Sequence, residues 1–423
     1  MLPSLYVAAS MPDYVETQIL DEDVEPVDFN TDADIIGVSF MTFNAPRAYE
    51  IGDIFREKGK TVIFGGFHPT FMPYEALKHA DAVCIGEAEP NMVKIIEDFA
   101  VGNLQKIYKS NLIDLANLPI PDRSLLKNGP YITLNAMQAT RGCHNMCEFC
   151  SVSAFNRYVH RKRPVDQVVK EIKQLGKFVL FMDDNITLDR EYAKELFTAM
   201  IPLKKTWFSQ CSITIADDDE LLDLAVKSGC RGLFLGFESL SQKNLSGWNK
   251  NFNMEKNYYE VARKVHSRGI VIFGAFVFGS DDDGTDVFEN TLEFLLKANI
   301  ETIQATILTP FPGTPMFEKF DSQRRIFDKD WSHYDFFHVV HNPMKMDAET
   351  LKNGTSWVQK EFYSRKNIRR RLIRSAGYLS TSMMMRVAIP LNYGYRTKLS
   401  GYGIFEIGKK FNPNNNNNNL NGF

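Results

Sequence analysis

The chain has 423 residues, 44% of them hydrophobic, and a formal net charge of −3. At about 150 residues per domain this length predicts two or three domains, and the charge gives no general attraction to nucleic acid. No apolar run reaches the roughly 18 residues of a membrane span. The cysteines are few and the sequence shows no secretory signal, so disulfide bonds are not expected. The sequence therefore predicts a cytoplasmic protein without a disulfide framework.

The first predicted domain, residues 1–118, begins with a helix over Leu2–Ala9 and then alternates apolar strands with helices. Continuous apolar strands of this kind predict a parallel sheet that is covered on both faces. Strands are expected at 35–40, 61–64 and 82–85, and helices near 46–58 and 89–99.

Small or polar residues follow each of these strands, at the edge where open α/β sheets bind ligands. Two glycines, Gly65 and Gly66, either admit a bulky ligand close to the backbone or form a tight turn. The sequence favours neither interpretation. The candidate binding residues at this edge are Ser39, Met41, Thr42, Gly65, Gly66, His68, Gly86 and Glu87.

A proline-containing linker, residues 118–122, precedes a second predicted unit at 126–325. Its first strand is expected over 131–137, and further strands alternate with helices after it. This alternation predicts a partial (β/α)6 barrel, in which chemistry lies on loops after the carboxyl ends of the strands. The later strands are expected at 178–182, 207–213, 232–236, 271–278 and 302–307, with helices at 164–175, 189–200, 217–228, 254–268 and 284–297.

Three cysteines lie directly after the first expected barrel strand. Cys143, Cys147 and Cys150 have no fourth cysteine nearby, so they can hold three corners of an iron–sulfur cluster and leave one open. A structural zinc site normally needs four ligands, and His144 would have to share the metal with its direct neighbour. The spacing favours a cluster, with zinc as the alternative. The other cysteines, Cys84, Cys211 and Cys230, are expected to be core residues.

Polar residues are expected at the same rim of the barrel. Asp183, Asp184 and Asn185 follow the second strand, and Glu238 and Ser239 follow the fourth. Carboxylates at neighbouring strand ends can bind an ammonium group and ribose hydroxyls. Each residue alone could equally cap a helix, so their joint position around the cysteine loop is what predicts a cofactor site.

The motif Cys143-x3-Cys147-x2-Cys150, with Phe149 before its last cysteine, resembles the signature of the radical S-adenosylmethionine enzymes. The resemblance implies a [4Fe–4S] cluster whose fourth iron binds S-adenosylmethionine and whose electron cleaves it to a 5′-deoxyadenosyl radical. It also implies that residues 183–185 contact the methionine amino group and that residues 238–239 contact the ribose.

The first domain resembles the cobalamin-binding domain that precedes the barrel in one large subgroup of these enzymes. The resemblance implies that the candidate residues after its strands contact the lower face and nucleotide tail of cobalamin. The subgroup's opening strand has no counterpart, because Leu2–Ala9 corresponds to the first helix. The expected fold is a Rossmann-like cobalamin-binding-type domain without its first strand, then the partial barrel and a mainly helical extension.

The resemblance implies an enzyme that methylates an unactivated carbon, with cobalamin as the methyl carrier. Oxidative cyclisation or rearrangement, with or without cobalamin, is the alternative, and a non-catalytic metal-binding protein is a further one. The expected partners are a small-molecule or lipid substrate and an external one-electron reductant such as flavodoxin or ferredoxin. Nucleic acid is not expected.

The C-terminal extension, residues 326–411, combines a basic run at 365–374 with an apolar stretch at 383–389. Such a pairing can rest on an anionic membrane surface and hold the protein peripherally there. A charge run is more often the solvated face of a helix, and the sequence favours that simpler interpretation. Residues 412–423, rich in asparagine, are expected to be disordered.

Overall fold

The structure, a computed structural model, describes residues 2–127, 129, 131, 133–254 and 256–413. Two α/β units follow one another, as predicted, and a helical extension completes the chain. The strands are β1 (Ile35–Ser39), β2 (Thr61–Gly65), β3 (Ala82–Ile85), β4 (Ile107–Lys109), β5 (Ala136–Met137), β6 (Thr140–Arg141), β7 (Arg161–Lys162), β8 (Phe178–Phe181), β9 (Thr206–Cys211), β10 (Cys230–Glu238), β11 (Val271–Phe278) and β12 (Thr302–Ile307).

The helices occupy the expected intervals between strands, with additional short helices near the strand ends. They are α1 (Leu2–Ala9), α2 (Ala45–Glu57), α3 (Phe67–Phe71), α4 (Pro73–Ala76), α5 (Met92–Ala100), α6 (Ser151–Phe155), α7 (Val165–Gln174), α8 (Arg190–Met200), α9 (Asp219–Ser228), α10 (Gln242–Gly247), α11 (Tyr258–His266), α12 (Val287–Lys297), α13 (Pro315–Ser322), α14 (Ala348–Phe362), α15 (Arg365–Ser375), α16 (Thr381–Met383), α17 (Ile389–Gly401) and α18 (Ile404–Gly408).

The N-terminal sheet is parallel and has the strand order β1-β2-β3-β4. Val62 and Phe64 pack on α2, while Ile63 and Cys84 pack on α5, so helices cover both faces. Strand β4 was not predicted, because Ile107–Lys109 is too short and too polar to give a strand pattern. Within the described residues β1 pairs with β2 alone.

The second sheet is also parallel, with the order β12-β11-β10-β9-β8-β5 that a partial barrel requires. Its first strand is shorter than predicted: it contains only Ala136–Met137 instead of 131–137, of which Ile132 lies outside the described residues. Just before it, Asn135 N donates to Thr133 Oγ1 (3.0 Å). This local turn withdraws the preceding backbone from the strand ladder.

The C-terminal extension reaches both ends of the barrel. At the carboxyl end, Ile307 N of β12 donates to Phe336 O (2.9 Å). At the amino end, Leu379 and Val387 pack on Val271, the first residue of β11. Within the described part of the chain, no helix combines the length and apolarity needed to cross a bilayer. Of the segment expected to be disordered, residues 414–423 lie outside the described residues.

Candidate functional site

The cysteine loop follows β6 and is shaped by a glycine. Gly142 has a φ of +81°, and a Cβ there would lie 2.2 Å from Val159 O. Only glycine fits this position, so the chain turns directly into Cys143. The next two cysteines share one turn, in which Cys150 N donates to Cys147 O (3.1 Å).

The three thiols interact with one another electrostatically. Burial raises the pKa of Cys147 to about 12, and the charges of Cys150 and Cys143 add to that shift. Burial also raises the pKa of Cys143, with a further contribution from Cys150. The Lys250 ammonium lowers the pKa of both thiols. Without a metal, Cys143 and Cys147 are therefore protonated near neutral pH, and a bound metal would deprotonate them.

The arrangement of the thiols bears on the kind of metal centre that they can hold. Among the described residues, no three His, Cys, Asp or Glu side chains converge closely enough to hold a single metal ion. A [4Fe–4S] cluster does not need this convergence, because each cysteine binds a different iron. Three mutually interacting thiols on one loop therefore fit such a cluster.

The carboxylates after β8 hold the backbone of the cysteine loop. Asp183 is buried, and its Oδ1 accepts hydrogen bonds from Thr140 N (2.6 Å) and Thr140 Oγ1 (2.7 Å). Asp184 Oδ2 accepts one from Gly142 N (2.7 Å), and Asn185 is buried beside them. The structure thus brings this predicted group to the cysteines, but it engages the oxygens of both aspartates with loop amides.

A lysine that the sequence analysis missed lies beside the cysteines. Lys250 is buried and forms an ion pair with Glu238. Glu238 has a φ of +66° at a register shift between β10 and β11, and this bulge re-aims its side chain. Ser239 is buried, and its Oγ accepts a hydrogen bond from Asn244 Nδ2 (3.2 Å). No motif marks Lys250, because the segment after α10 follows no regular pattern.

Phe149 links the cysteine loop to the segment that carries this lysine. Its ring packs edge-on against Trp248, with the ring centroids 5.5 Å apart. The preceding residue reinforces the contact, because Glu148 N donates to Trp248 O (3.0 Å). Phe149 therefore supports the position of Lys250, two residues after Trp248.

The glycine turns of the N-terminal domain are joined by Thr70, which the sequence analysis also missed. Gly66 has a φ of +97°, and a Cβ there would lie 2.8 Å from Phe40 O, so glycine is required. Thr70 Oγ1 donates to Gly66 O (2.7 Å) and accepts from Gly86 N (2.9 Å). A Cβ at Gly86 would meet nothing within 4 Å, so space is open there. Of the remaining candidates, Ser39 ends β1 and Gly65 ends β2, while Met41 and Thr42 lie in the segment just after β1.

His68 is fully buried next to these turns. Its Nε2 lies 2.9 Å from Tyr49 Oη, and its ring centroid lies 5.3 Å from that of Trp331 in the C-terminal extension. Burial lowers the pKa of His68 to about 4, so the imidazole is neutral at physiological pH. Its Nδ1 has no hydrogen-bond partner among the described residues. The unpartnered Nδ1 of His68 and the open space beside Gly86 fit a domain that binds a large ligand.

Glu87 has a different environment from the other candidates in its domain. Its carboxylate accepts hydrogen bonds from Arg141 Nη1 (2.8 Å) and Arg161 Nη1 (2.7 Å) of the second unit. Burial acts to raise the pKa of Glu87, but the two arginines outweigh it and the pKa lies below its ordinary value. The carboxylate is therefore ionised and bound to protein, and the cobalamin contact expected for this residue stays a prediction.

Comparison with known proteins agrees with this arrangement. A B12 binding domain model matches residues 2–96, and a Radical SAM superfamily model matches residues 137–307. The chain is 35% identical to bacteriochlorophyllide d C-12(1)-methyltransferase of Chlorobaculum tepidum, over 87% of this chain and 83% of the relative. The chain belongs to the cobalamin-dependent radical S-adenosylmethionine methyltransferases. The predicted family and enzyme class are thereby confirmed.

Other similar proteins agree with this family. Bacteriochlorophyllide d C-8(2)-methyltransferase of Chlorobaculum tepidum is 27% identical to this chain, over 79% of this chain and 80% of the relative. The solved structure of TsrM from Kitasatospora setae, with cobalamin and a [4Fe–4S] cluster bound, matches with a TM-score of 0.63 and 13% identity, covering 88% of this chain and 90% of that chain. OxsB with aqua-cobalamin and S-adenosylmethionine bound gives a TM-score of 0.62 at 14% identity, covering 89% and 64% of the two chains. Both structures share the fold.

The cofactors predicted for the methyltransferase are those of its two family domains: a [4Fe–4S] cluster, S-adenosylmethionine and cobalamin. When bound, they supply a radical that removes hydrogen and a methyl group to replace it. The protein's contribution is to hold the thiols, keep charged groups paired and exclude water.

The buried carboxyl of Asp183 is expected to make the stability of the methyltransferase depend on pH. Burial raises its pKa from 3.8 to about 7, against hydrogen bonds from Thr140 and Ala139 that favour the carboxylate. An acid whose folded-state pKa is raised destabilises the fold when it ionises. This destabilisation is absent below the unfolded-state pKa and grows between the two values, by about 1.4 kcal/mol per pH unit.

Asp183→Asn removes this titration, so the variant should gain stability relative to wild type as pH rises from about 4 to 7. Urea unfolding at several pH values measures the difference. The matched control is Asp166→Asn, at an exposed position in the first turn of α7. A difference between Asp183→Asn and wild type that stays constant across this window would contradict the assignment.

Proposed function

We propose that the enzyme methylates an unactivated carbon on the periphery of a tetrapyrrole. The observation that carries this proposal is the 35% identity to a bacteriochlorophyllide d methyltransferase across 87% of this chain. The second bacteriochlorophyllide methyltransferase supports the same substrate class. Sequence similarity over most of the chain is stronger support than the fold, because one fold hosts many substrates.

The roles proposed for individual residues follow from their positions. The thiolates of Cys143, Cys147 and Cys150 bind the cluster, and Asp183 and Asp184 keep their loop in place. The proposed S-adenosylmethionine site comprises Phe149, Asp184, Asn185, Glu238, Ser239 and Lys250. The proposed cobalamin site comprises Ser39, Met41, Thr42, Gly65, Gly66, His68 and Gly86.

A mass-labelling experiment tests the proposal. The enzyme is reconstituted anaerobically with iron, sulfide and hydroxocobalamin, and is given a flavodoxin-type reductant and S-adenosylmethionine with a deuterated methyl group. With bacteriochlorophyllide d as substrate, the expected products are 5′-deoxyadenosine and a pigment that has gained the labelled methyl group. Wild type without reductant is the control.

Two other outcomes of this experiment would change either the proposed reaction or the proposed substrate class. A relative at 25% identity, the anaerobic magnesium-protoporphyrin IX monomethyl ester cyclase of Cereibacter sphaeroides, is named for ring formation. Deoxyadenosine together with an unlabelled, oxidised pigment would therefore replace methylation by cyclisation. Labelling of a non-tetrapyrrole substrate but of no tetrapyrrole would keep the reaction and overturn the substrate class.

The helical extension is proposed to contact an anionic membrane surface. Residues 362–405 contain no Asp or Glu. Arg369 and Arg370 lie on the exposed side of α15 together with Ile373, which is 76% exposed. Arg371 is buried instead and donates to Phe362 O (2.5 Å). Basic side chains around an exposed apolar one suit an anionic lipid surface. This surface lies at the amino end of β11, opposite the cysteine loop.

Reversing two of these charges should weaken membrane binding. Arg369→Glu/Arg370→Glu is expected to reduce affinity for phosphatidylglycerol vesicles by more than about tenfold, since each basic residue contributes about 1 kcal/mol. Co-sedimentation with the vesicles measures this affinity. The matched control is Lys170→Glu/Lys173→Glu, two exposed lysines on α7. Equal binding to phosphatidylcholine vesicles, or an equal effect of the control, would exclude an electrostatic membrane contact.

A further inference from the structure

A buried ion-pair network joins the two domains of the enzyme. Glu87, in the loop after β3, binds Arg141 and Arg161, which lie on β6 and β7 of the second unit. Glu89 adds a second carboxylate, 2.8 Å from Arg141 Nη1. The side chains of Glu87 and Arg141 are only 4% and 10% exposed. Water therefore cannot replace these partners, and separating them would leave buried charges unpaired.

On the side of the second unit, this network ends at the cysteine loop. Arg141 is separated from Cys143 by Gly142 alone. Both residues flanking Arg141 are fixed, because Thr140 binds Asp183 and Gly142 N donates to Asp184. A displacement of Arg141 is therefore transmitted to the backbone that carries the first cysteine.

On the side of the N-terminal domain, the network ends at the glycine turns. Glu87 follows Gly86, whose amide is held by Thr70 Oγ1 (2.9 Å). The same hydroxyl donates to Gly66 O (2.7 Å). Covalent and hydrogen bonds thus run without a gap from Gly66 to Cys143. Such continuity makes energetic coupling between two sites physically possible, and only a coupling measurement demonstrates it.

We propose that Glu87 is a positioning residue that couples cobalamin binding in the N-terminal domain to cluster binding on the cysteine loop. The inference rests on the proposed cofactor sites. Because the carboxylate can stay paired only when both loops are in place, order in one loop favours order in the other. Coupling of this kind is reciprocal: the cluster should raise cobalamin affinity by the same factor as cobalamin raises cluster affinity.

The test is the affinity of the full chain for hydroxocobalamin, measured before and after anaerobic loading with iron and sulfide. In wild type, the loaded protein is expected to bind about tenfold more tightly, within the usual range for coupled sites. Glu87→Gln keeps the shape of the side chain and removes its charge, so the ratio should fall towards one. Arg161→Gln breaks the same network from the other domain and should act in the same way.

Glu171→Gln is the matched control. Glu171 is also a buried carboxylate bound by two arginines, Arg123 and Arg163, but its ion pairs do not include Glu87, Arg141 or Arg161. It should lower stability while leaving the affinity ratio near the wild-type value. A ratio of one in wild type, or an unchanged ratio in a folded Glu87→Gln or Arg161→Gln protein, overturns the inference. If wild type binds neither cofactor, the proposed function itself fails.

Discussion

Replacing Cys147 with alanine is expected to abolish 5′-deoxyadenosine formation. Cys147 is one of three thiols that interact on a single loop, and no other cysteine lies nearby to replace it. Loss of a group that only orients a metal ligand already costs about 10- to 100-fold. Loss of a ligand should therefore lower the rate by more than about 100-fold. Chromatographic quantification of deoxyadenosine, with iron content measured in parallel, gives the result.

Cys230→Ala is the matched control for this experiment. Cys230 is as buried as Cys147, but it begins β10 and so lies at the opposite end of the barrel from the loop. Its replacement should cost some packing stability and leave iron content and deoxyadenosine unchanged. Wild-type levels of deoxyadenosine from Cys147→Ala would exclude the three-cysteine cluster, and zinc as the sole bound metal would restore the alternative considered from spacing.

Replacing Lys250 with methionine should affect both stability and chemistry. The change leaves the Glu238 carboxylate without its partner in a poorly hydrated position. Breaking a buried ion pair from one side typically costs about 3–5 kcal/mol of unfolding free energy. It also removes the positive charge that lowers the pKa of Cys143 and Cys147. Urea unfolding is expected to show the first effect, and reduced deoxyadenosine formation the second.

A double variant separates these two effects. Lys250→Met/Glu238→Gln removes both charges, so it should recover most of the lost stability. It should not recover deoxyadenosine formation, because no cation is restored beside the thiols. A double variant no more stable than Lys250→Met would rule out the ion pair as the source of the stability. Full recovery of deoxyadenosine formation would show that Lys250 acts only through Glu238.

Local features of the chain were predicted well. The cysteine motif is contiguous, so its spacing alone indicated a cluster loop, and most barrel strands and helices were found within a few residues. The exceptions are informative. Strand β4 is too short to show a period, and the first barrel strand is shortened by the Thr133–Asn135 turn. Such turns depend on side-chain hydrogen bonds that compete with strand pairing.

The sequence by itself determined the family-specific thiols, the two parallel sheets and the set of small residues at their carboxyl ends, because these depend on local spacing and periodicity. Only the tertiary structure decided which charges meet. Glu87 pairs with Arg141 and Arg161 of the second unit, and Lys250 comes beside the cysteines from an irregular segment. Pairs so distant along the chain are chosen by packing, because a buried charge must find an opposite one wherever the fold brings it.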